Sequence, residues 1–124
     1  MVLHIDIPWL LDVQEEAVPE DVSVADYSAL VAAVARHKTR IPRPTTADPD
    51  PAWRAAALLH TLVRLEPLPY RNSLFACQVS VAYMHASGDG IDPPYGALVE
   101  LVRDIQAGKA TVYQAADRIR AWRI

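Results

Sequence analysis

The chain is poor in the residues from which several kinds of site are built. It has one cysteine, Cys77, so an internal disulfide is excluded, and the thiol falls in an apolar run where it reads as a small core hydrophobe. Its four glycines, at 88, 90, 96 and 108, allow neither a Walker loop nor a dinucleotide fingerprint. A basic excess is also missing. The formal net charge is -3, so the chain has no field for gripping phosphate backbones and direct nucleic-acid binding is not expected. The histidines at 4, 37, 60 and 85 share no helical-turn spacing with one another or with Cys77, so no metal site is expected. No apolar run reaches the roughly 20 residues of a membrane span. The first residues, MVLHIDIPWLLDVQEE, lack a basic segment and a small-residue cleavage site, so no signal peptide is read there. With no disulfide possible, a cytoplasmic protein is expected.

What is present suits one folded domain over residues 1–124. Hydrophobic residues make up 52% and charged residues 22%, values that support a single core. The most apolar stretch is 65–88, LEPLPYRNSLFACQVSVAYMHASG. From Leu74 to Ala86 only Gln78, Ser80 and His85 interrupt it, and a helix apolar all round must be enclosed by protein. That stretch is therefore expected to be the central helix. Tyr70, Arg71, Asn72 and Ser73 would lie at its N-terminus, where free backbone N–H groups and the dipole favour an anion.

Five or six helices account for the chain, an all-α bundle around a buried central helix. Asp6 can cap a first helix with Pro8 in its opening turn, running to about Ala17. Ser23 or Asp26 can cap a second, with Tyr27, Leu30, Val31 and Val34 on one face and an end near Lys38. Residues 39–51, TRIPRPTTADPDP, carry four prolines and are read as an exposed loop. Asp50 and Pro51 then open a third helix whose broad apolar face includes Trp53, Ala56, Ala57, Leu58, Leu62 and Leu65. After Gly88, Asp92 with Pro93 and Pro94 is read as the start of a further helix buried through Leu98, Leu101, Val102 and Ile105. Gly108 suits its end. Thr111 and Gln114 have the spacing of a capping box for a last helix. A marginal strand is allowed at residues 2–5 or in the proline loop.

Charge patterning adds two surface features. Residues 12–26 hold six acidic groups and no Lys or Arg, read as a solvated face or a docking surface for a basic segment. Arg36, His37, Lys38, Arg40 and Arg43 form a basic cluster, read as a solvated helix end or an anion site. His60 reads as a core-edge histidine with a satisfied hydrogen bond.

The run Glu66-Pro67-Leu68-Pro69-Tyr70-Arg71-Asn72-Ser73-Leu74-Phe75, followed by an apolar helix ending at Gly88, resembles the signature region of the Fic/Doc family and its short death-on-curing toxins. That family reads His-x-Phe-x-(Asp/Glu)-x-Asn-(Lys/Gly)-Arg. His4-Ile5 before an early helix, the Leu-Leu-His ending at His60, and residues 105–111 before the last helix extend the likeness along the chain. It implies a Fic/Doc-like helical fold and the toxin component of a toxin–antitoxin pair. The implied partners are a small antitoxin, with a helix in a groove, and a protein target in translation. Family chemistry transfers a phosphoryl or nucleotidyl group to a protein hydroxyl, from ATP or another nucleoside triphosphate with magnesium. Most of the family's polar positions are altered here. Glu66 stands where the family has its catalytic histidine, Tyr70 where it has the magnesium-holding acid, and Leu74 where it has the phosphate-binding arginine, while Asn72 is kept. The candidate site residues are thus Glu66 and Asn72 for catalysis and Arg71 and Ser73 for an anion or nucleotide, with no metal ligand. The alternative is a catalytically inactive Fic-fold protein that binds a protein or peptide.

Overall fold

In the computed structural model, which describes residues 2–18, 23–39 and 50–124, the chain forms six α-helices. These are α1 (Ile7–Ala17), α2 (Tyr27–Lys38), α3 (Pro51–Leu65), α4 (Asn72–Ala86), α5 (Ala97–Gln106) and α6 (Val112–Ala121). The all-α bundle expected from the sequence is what the structure shows. Most of the proline loop, residues 40–49, and part of the acidic stretch, residues 19–22, lie outside the described residues, as do Arg40 and Arg43. None of the described helices is long and apolar enough to cross a membrane.

Helix starts follow the local chemistry. Asp6 caps α1 by accepting the Trp9 N–H (3.0 Å), with Pro8 in the first turn, where a missing N–H costs no helical bond. Asp26 rather than Ser23 caps α2, accepting from the Ser28 N–H. Asp50 caps α3 through the Trp53 N–H (3.0 Å), and Thr111 with Gln114 forms the reciprocal capping box of α6. The ends of α4 and α5 are closed by Gly88 (φ 83°) and Gly108 (φ 74°), whose left-handed conformation returns the next N–H to an orphan carbonyl of the last turn.

The helix at the centre is α3, not the apolar α4. Eleven of the 15 residues of α3 are buried, against six of 15 in α4. It lies between α2, α4 and α6, while α1 packs on α4. Its alanines at 52, 55, 56 and 57 are all fully buried, and such small side chains let neighbouring backbones approach closely. The expected face of α2 is also corrected. Tyr27 and Val31 are about half exposed, and the inward side is formed by Ala29, Leu30, Ala33 and His37. His37, read as part of a solvated basic end, is fully buried. Helix α5 begins at Ala97 after a turn through Gly96, later than Asp92 and the two prolines suggested. Residues 91 and 92 instead meet the C-terminus, through a bridge between Ile91 and Arg123 and the Asp92 N–H to Trp122 carbonyl bond (2.8 Å). No strand occurs among the described residues. Two backbone groups of the segment 2–5 bond to side chains instead of to a strand partner.

Both bonds enter the core. The Ile5 N–H donates to His37 Nε2 (3.0 Å), and the Tyr83 hydroxyl donates to the Leu3 carbonyl (2.6 Å). His37 Nδ1 in turn donates to the Val34 carbonyl, and Arg54 Nη1 donates to the His37 carbonyl. This arrangement requires a neutral His37. Burial, aided by the nearby His4, Lys38 and Arg54 and opposed by the Val34 carbonyl, pushes its pKa down to about 4.

The unfolded chain takes up the His37 proton near pH 6.5, while the folded chain does so only near 4. The stabilisation from a neutral His37 is therefore complete above pH 6.5 and fades as pH falls toward 4, by about 3 kcal/mol in total. Denaturant titrations across this range are expected to show that loss, and His37→Gln, which can donate and accept at the same places, should flatten it. At Asp50 the carboxylate both caps α3 and receives Arg120 through Nε (2.7 Å) and Nη2 (3.0 Å). The Arg120 hydrogen bond comes first in holding its pKa below the usual range, against the effect of burial. Asp50→Ala is expected to cost about 1–2 kcal/mol in thermal unfolding, mostly as the lost cap, because the pair is about one third exposed. Asp50→Ser should recover most of it, as expected for a retained cap.

Candidate functional site

The motif loop joins the C-terminus of α3 to the N-terminus of α4, and its shape is set at two left-handed residues. Glu66, the C-cap of α3, has φ 47°, and Arg71, the N-cap of α4, has φ 54°. Non-glycine residues pay about 1 kcal/mol or more for this conformation, so surrounding contacts must hold it. Those contacts centre on Asn72. Its Nδ2 donates to the Leu62 carbonyl at the end of α3 (2.9 Å), and its Oδ1 accepts the Leu68 N–H (3.2 Å). Leu68 is buried, and the Pro67 carbonyl accepts the Ala25 N–H (2.8 Å), which ties the loop to the approach to α2.

The four sequence-predicted residues thus come together at one helix junction but in different roles. Asn72 is held on both sides of its amide by backbone. Glu66 is exposed, and among the described residues its carboxylate has no hydrogen-bond or ion-pair partner. Arg71 lies over the exposed Tyr70 ring, its guanidinium carbon 5.3 Å from the centroid, a cation–π contact at the loop surface. Ser73 Oγ accepts from Gln106 Nε2 at 3.5 Å, bridging α4 to the end of α5. No side chain caps the start of α4. Among the described residues no three His, Cys, Asp or Glu side chains gather where they could hold a metal ion.

Beside the loop runs an apolar groove of about 440 Å³, whose place and lining the sequence reading did not locate. One wall is Ser73, Leu74 and Cys77 of α4, and the other is Leu98, Val99, Val102 and Arg103 of α5, with Gln106 at the loop end. Leu74 is 38% exposed, although it lies in the run expected to be enclosed, and Val99, outside the buried side expected for α5, is 53% exposed. Helix α5 is buried chiefly through Leu101, Val102 and Ile105, which leaves its Leu98–Val99 edge outward. Burial pushes the Cys77 thiol up to about 11, so it lines the groove as a protonated, apolar group and not as a nucleophile. The only sequence signal for the groove was an apolar residue in excess on each of two helices.

Comparison with known proteins gives no assignment: no family model matches the chain, and no curated protein matches it.

The loop geometry predicts opposite effects at its two ends. Asn72→Ala removes two hydrogen bonds and leaves the buried Leu68 N–H without its acceptor, so chemical denaturation is expected to show a loss of about 2 kcal/mol. Glu66→Gly relieves the left-handed strain and should be neutral or stabilising by up to about 1 kcal/mol in the same assay.

Proposed function

We propose that the chain is a Fic/Doc-like protein that acts by binding a protein partner, with the motif loop serving as structure and not as a transferase centre. The observation that carries this reading is the open apolar groove between α4 and α5. Its walls are two helical ridges that share a trough, and the complementary shape is a third helix presenting apolar residues every three or four positions. Arg103 stands in the wall, and Arg71 lies just before the N-terminus of α4, so the helix that fits best carries acidic residues beside its apolar stripe.

The loop supports the same reading by what its residues are engaged in. A general base must be placed within hydrogen-bond reach of its substrate, and supporting contacts normally fix it there. Glu66 has no such support among the described residues, and Asn72 is committed to the Leu62 carbonyl and the Leu68 N–H. In the toxin–antitoxin version of this proposal, the groove captures a helix of the target, and a small antitoxin neutralises the protein by filling the same groove.

Growth on induced expression tests the proposal. Arrest by the wild type should persist in Glu66→Ala and Arg71→Ala and be relieved by Leu74→Lys combined with Val99→Glu, two partly exposed positions whose change leaves the core intact. Arrest that disappears in Glu66→Ala would return the activity to the loop, and a wild type without any effect on growth would remove the toxin reading.

A further inference from the structure

We propose that a second, separate cleft, between the end of α2, the C-terminal half of α3 and the turn from α5 to α6, binds a small phosphomonoester dianion. The cleft measures about 420 Å³, within the range of small-ligand sites, roughly 300–1,000 Å³. Ile105 lines this cleft while Gln106 lines the groove, so the last turn of α5 stands between the two. No residue of the motif loop lines the cleft, and the cleft and the groove share no lining residue.

The cleft is cationic, with two arginines and no carboxylate in its lining. Arg36 from α2 and Arg64 from α3 both line the cleft, and among the described residues each meets only neutral acceptors. Arg36 Nη1 donates to His60 Nδ1 (3.0 Å) and Thr61 Oγ1 (3.2 Å), and Arg64 Nη1 donates to the Ile105 carbonyl (3.3 Å). Among the described residues no carboxylate pairs with either one. On and just after α6 the pattern is different, since Arg118, Arg120 and Arg123 each have an aspartate partner. A guanidinium half withdrawn from water loses hydration that neutral acceptors only partly replace, and burial indeed holds the Arg36 pKa below its ordinary value. An anion in the cleft would complete the set.

The shape of the donors favours phosphate. Two guanidiniums approach from different helices, and the first turn of α6 adds positive potential at Thr111 and Val112. This is a match for a dianion with three acceptor oxygens, whereas a monoanionic carboxylate would leave charge uncompensated. His60 accepts the Arg36 proton at Nδ1 and so must be neutral with its own proton on Nε2. Burial first, then Arg36 and Arg64, hold its pKa below the usual value, against hydrogen bonding to the Ala110 backbone. The neutral ring therefore aims Arg36 without competing for an anion. Ile105, Ala110 and Val112 make the remaining surface apolar, and Tyr113 supplies a ring, which suits the organic part of a monoester.

Calorimetric titration of the full chain with phenyl phosphate, and with benzoate as the monoanion of similar size, tests the proposal. Saturable binding of phenyl phosphate is expected, with benzoate at least about tenfold weaker. Arg64→Gln should weaken phenyl phosphate about tenfold while thermal unfolding is unchanged, and Arg103→Gln, outside the cleft, should leave it as in the wild type. Because Arg36 is half-buried and its loss can unfold the chain, the exposed Arg64 carries the test, and a ligand-induced shift of the His60 ring signals gives the location. No saturation, equal binding of the two ligands, or equal loss in Arg64→Gln and Arg103→Gln would overturn the proposal.

Discussion

Enclosure of α3 by its neighbours sets the positions of the other helices. A helix buried on most sides must find a partner for each polar group it carries, since an unmet buried donor or acceptor costs about 1–3 kcal/mol. Each of those partners is a tie to another element. Asp50 at its start receives Arg120 from α6, and Arg54 reaches the His37 carbonyl at the end of α2. Thr61 and His60 take the two bonds of Arg36, Arg64 reaches the end of α5, and the Leu62 carbonyl receives Asn72 from the start of α4. Only Trp53 Nε1 and Arg54 Nε among its buried side-chain atoms lack a partner in the described residues. Four alanines give the helix close neighbours, and its polar groups decide where along it those neighbours sit.

Both proposed surfaces descend from that enclosure. The Asn72 contact fixes where α4 starts and thereby positions Leu74 and Cys77 beside α5. With the inner side of α5 drawn toward the core by Leu101 and Ile105, its Leu98–Val99 edge is left to form the second wall of the groove. On the other side of the α5 terminus, the Arg36, His60 and Arg64 set arises because α2 and α6 both lie against α3 near its C-terminal half. The two sites share a scaffold and have opposite chemistry, one apolar and one cationic.

Much of the fold was legible because helix boundaries are local chemistry. Asp6, Asp50 with Pro51, the Thr111–Gln114 box and the glycines at 88 and 108 each act within one turn, so a window of a few residues contains the whole cause. The centre of the fold was not legible in the same way. Hydrophobicity marks α4 as the helix to enclose, but Arg54, His60 and Arg64 made α3 read as amphipathic, and the acceptors that let Arg54 be buried and tie Arg64 to α5 come from distant residues. His37 failed to read as core because the donor that meets its Nε2 is the Ile5 amide, distant in the chain. The motif residues could be found by register, but register says nothing of whether Asn72 faces a ligand or the Leu62 carbonyl.

The central claim is that the loop at Glu66, Arg71 and Asn72 holds the junction of α3 and α4 and does not hold a nucleotide. The most direct test is calorimetric titration with ATP and GTP, with and without magnesium, on the wild type, Arg71→Ala and Arg64→Gln. No magnesium-dependent binding that Arg71→Ala removes is expected, and any phosphate binding should be sensitive to Arg64→Gln alone. Saturable, magnesium-dependent binding that is lost in Arg71→Ala and kept in Arg64→Gln would contradict the central claim and place a nucleotide at the tip of α4.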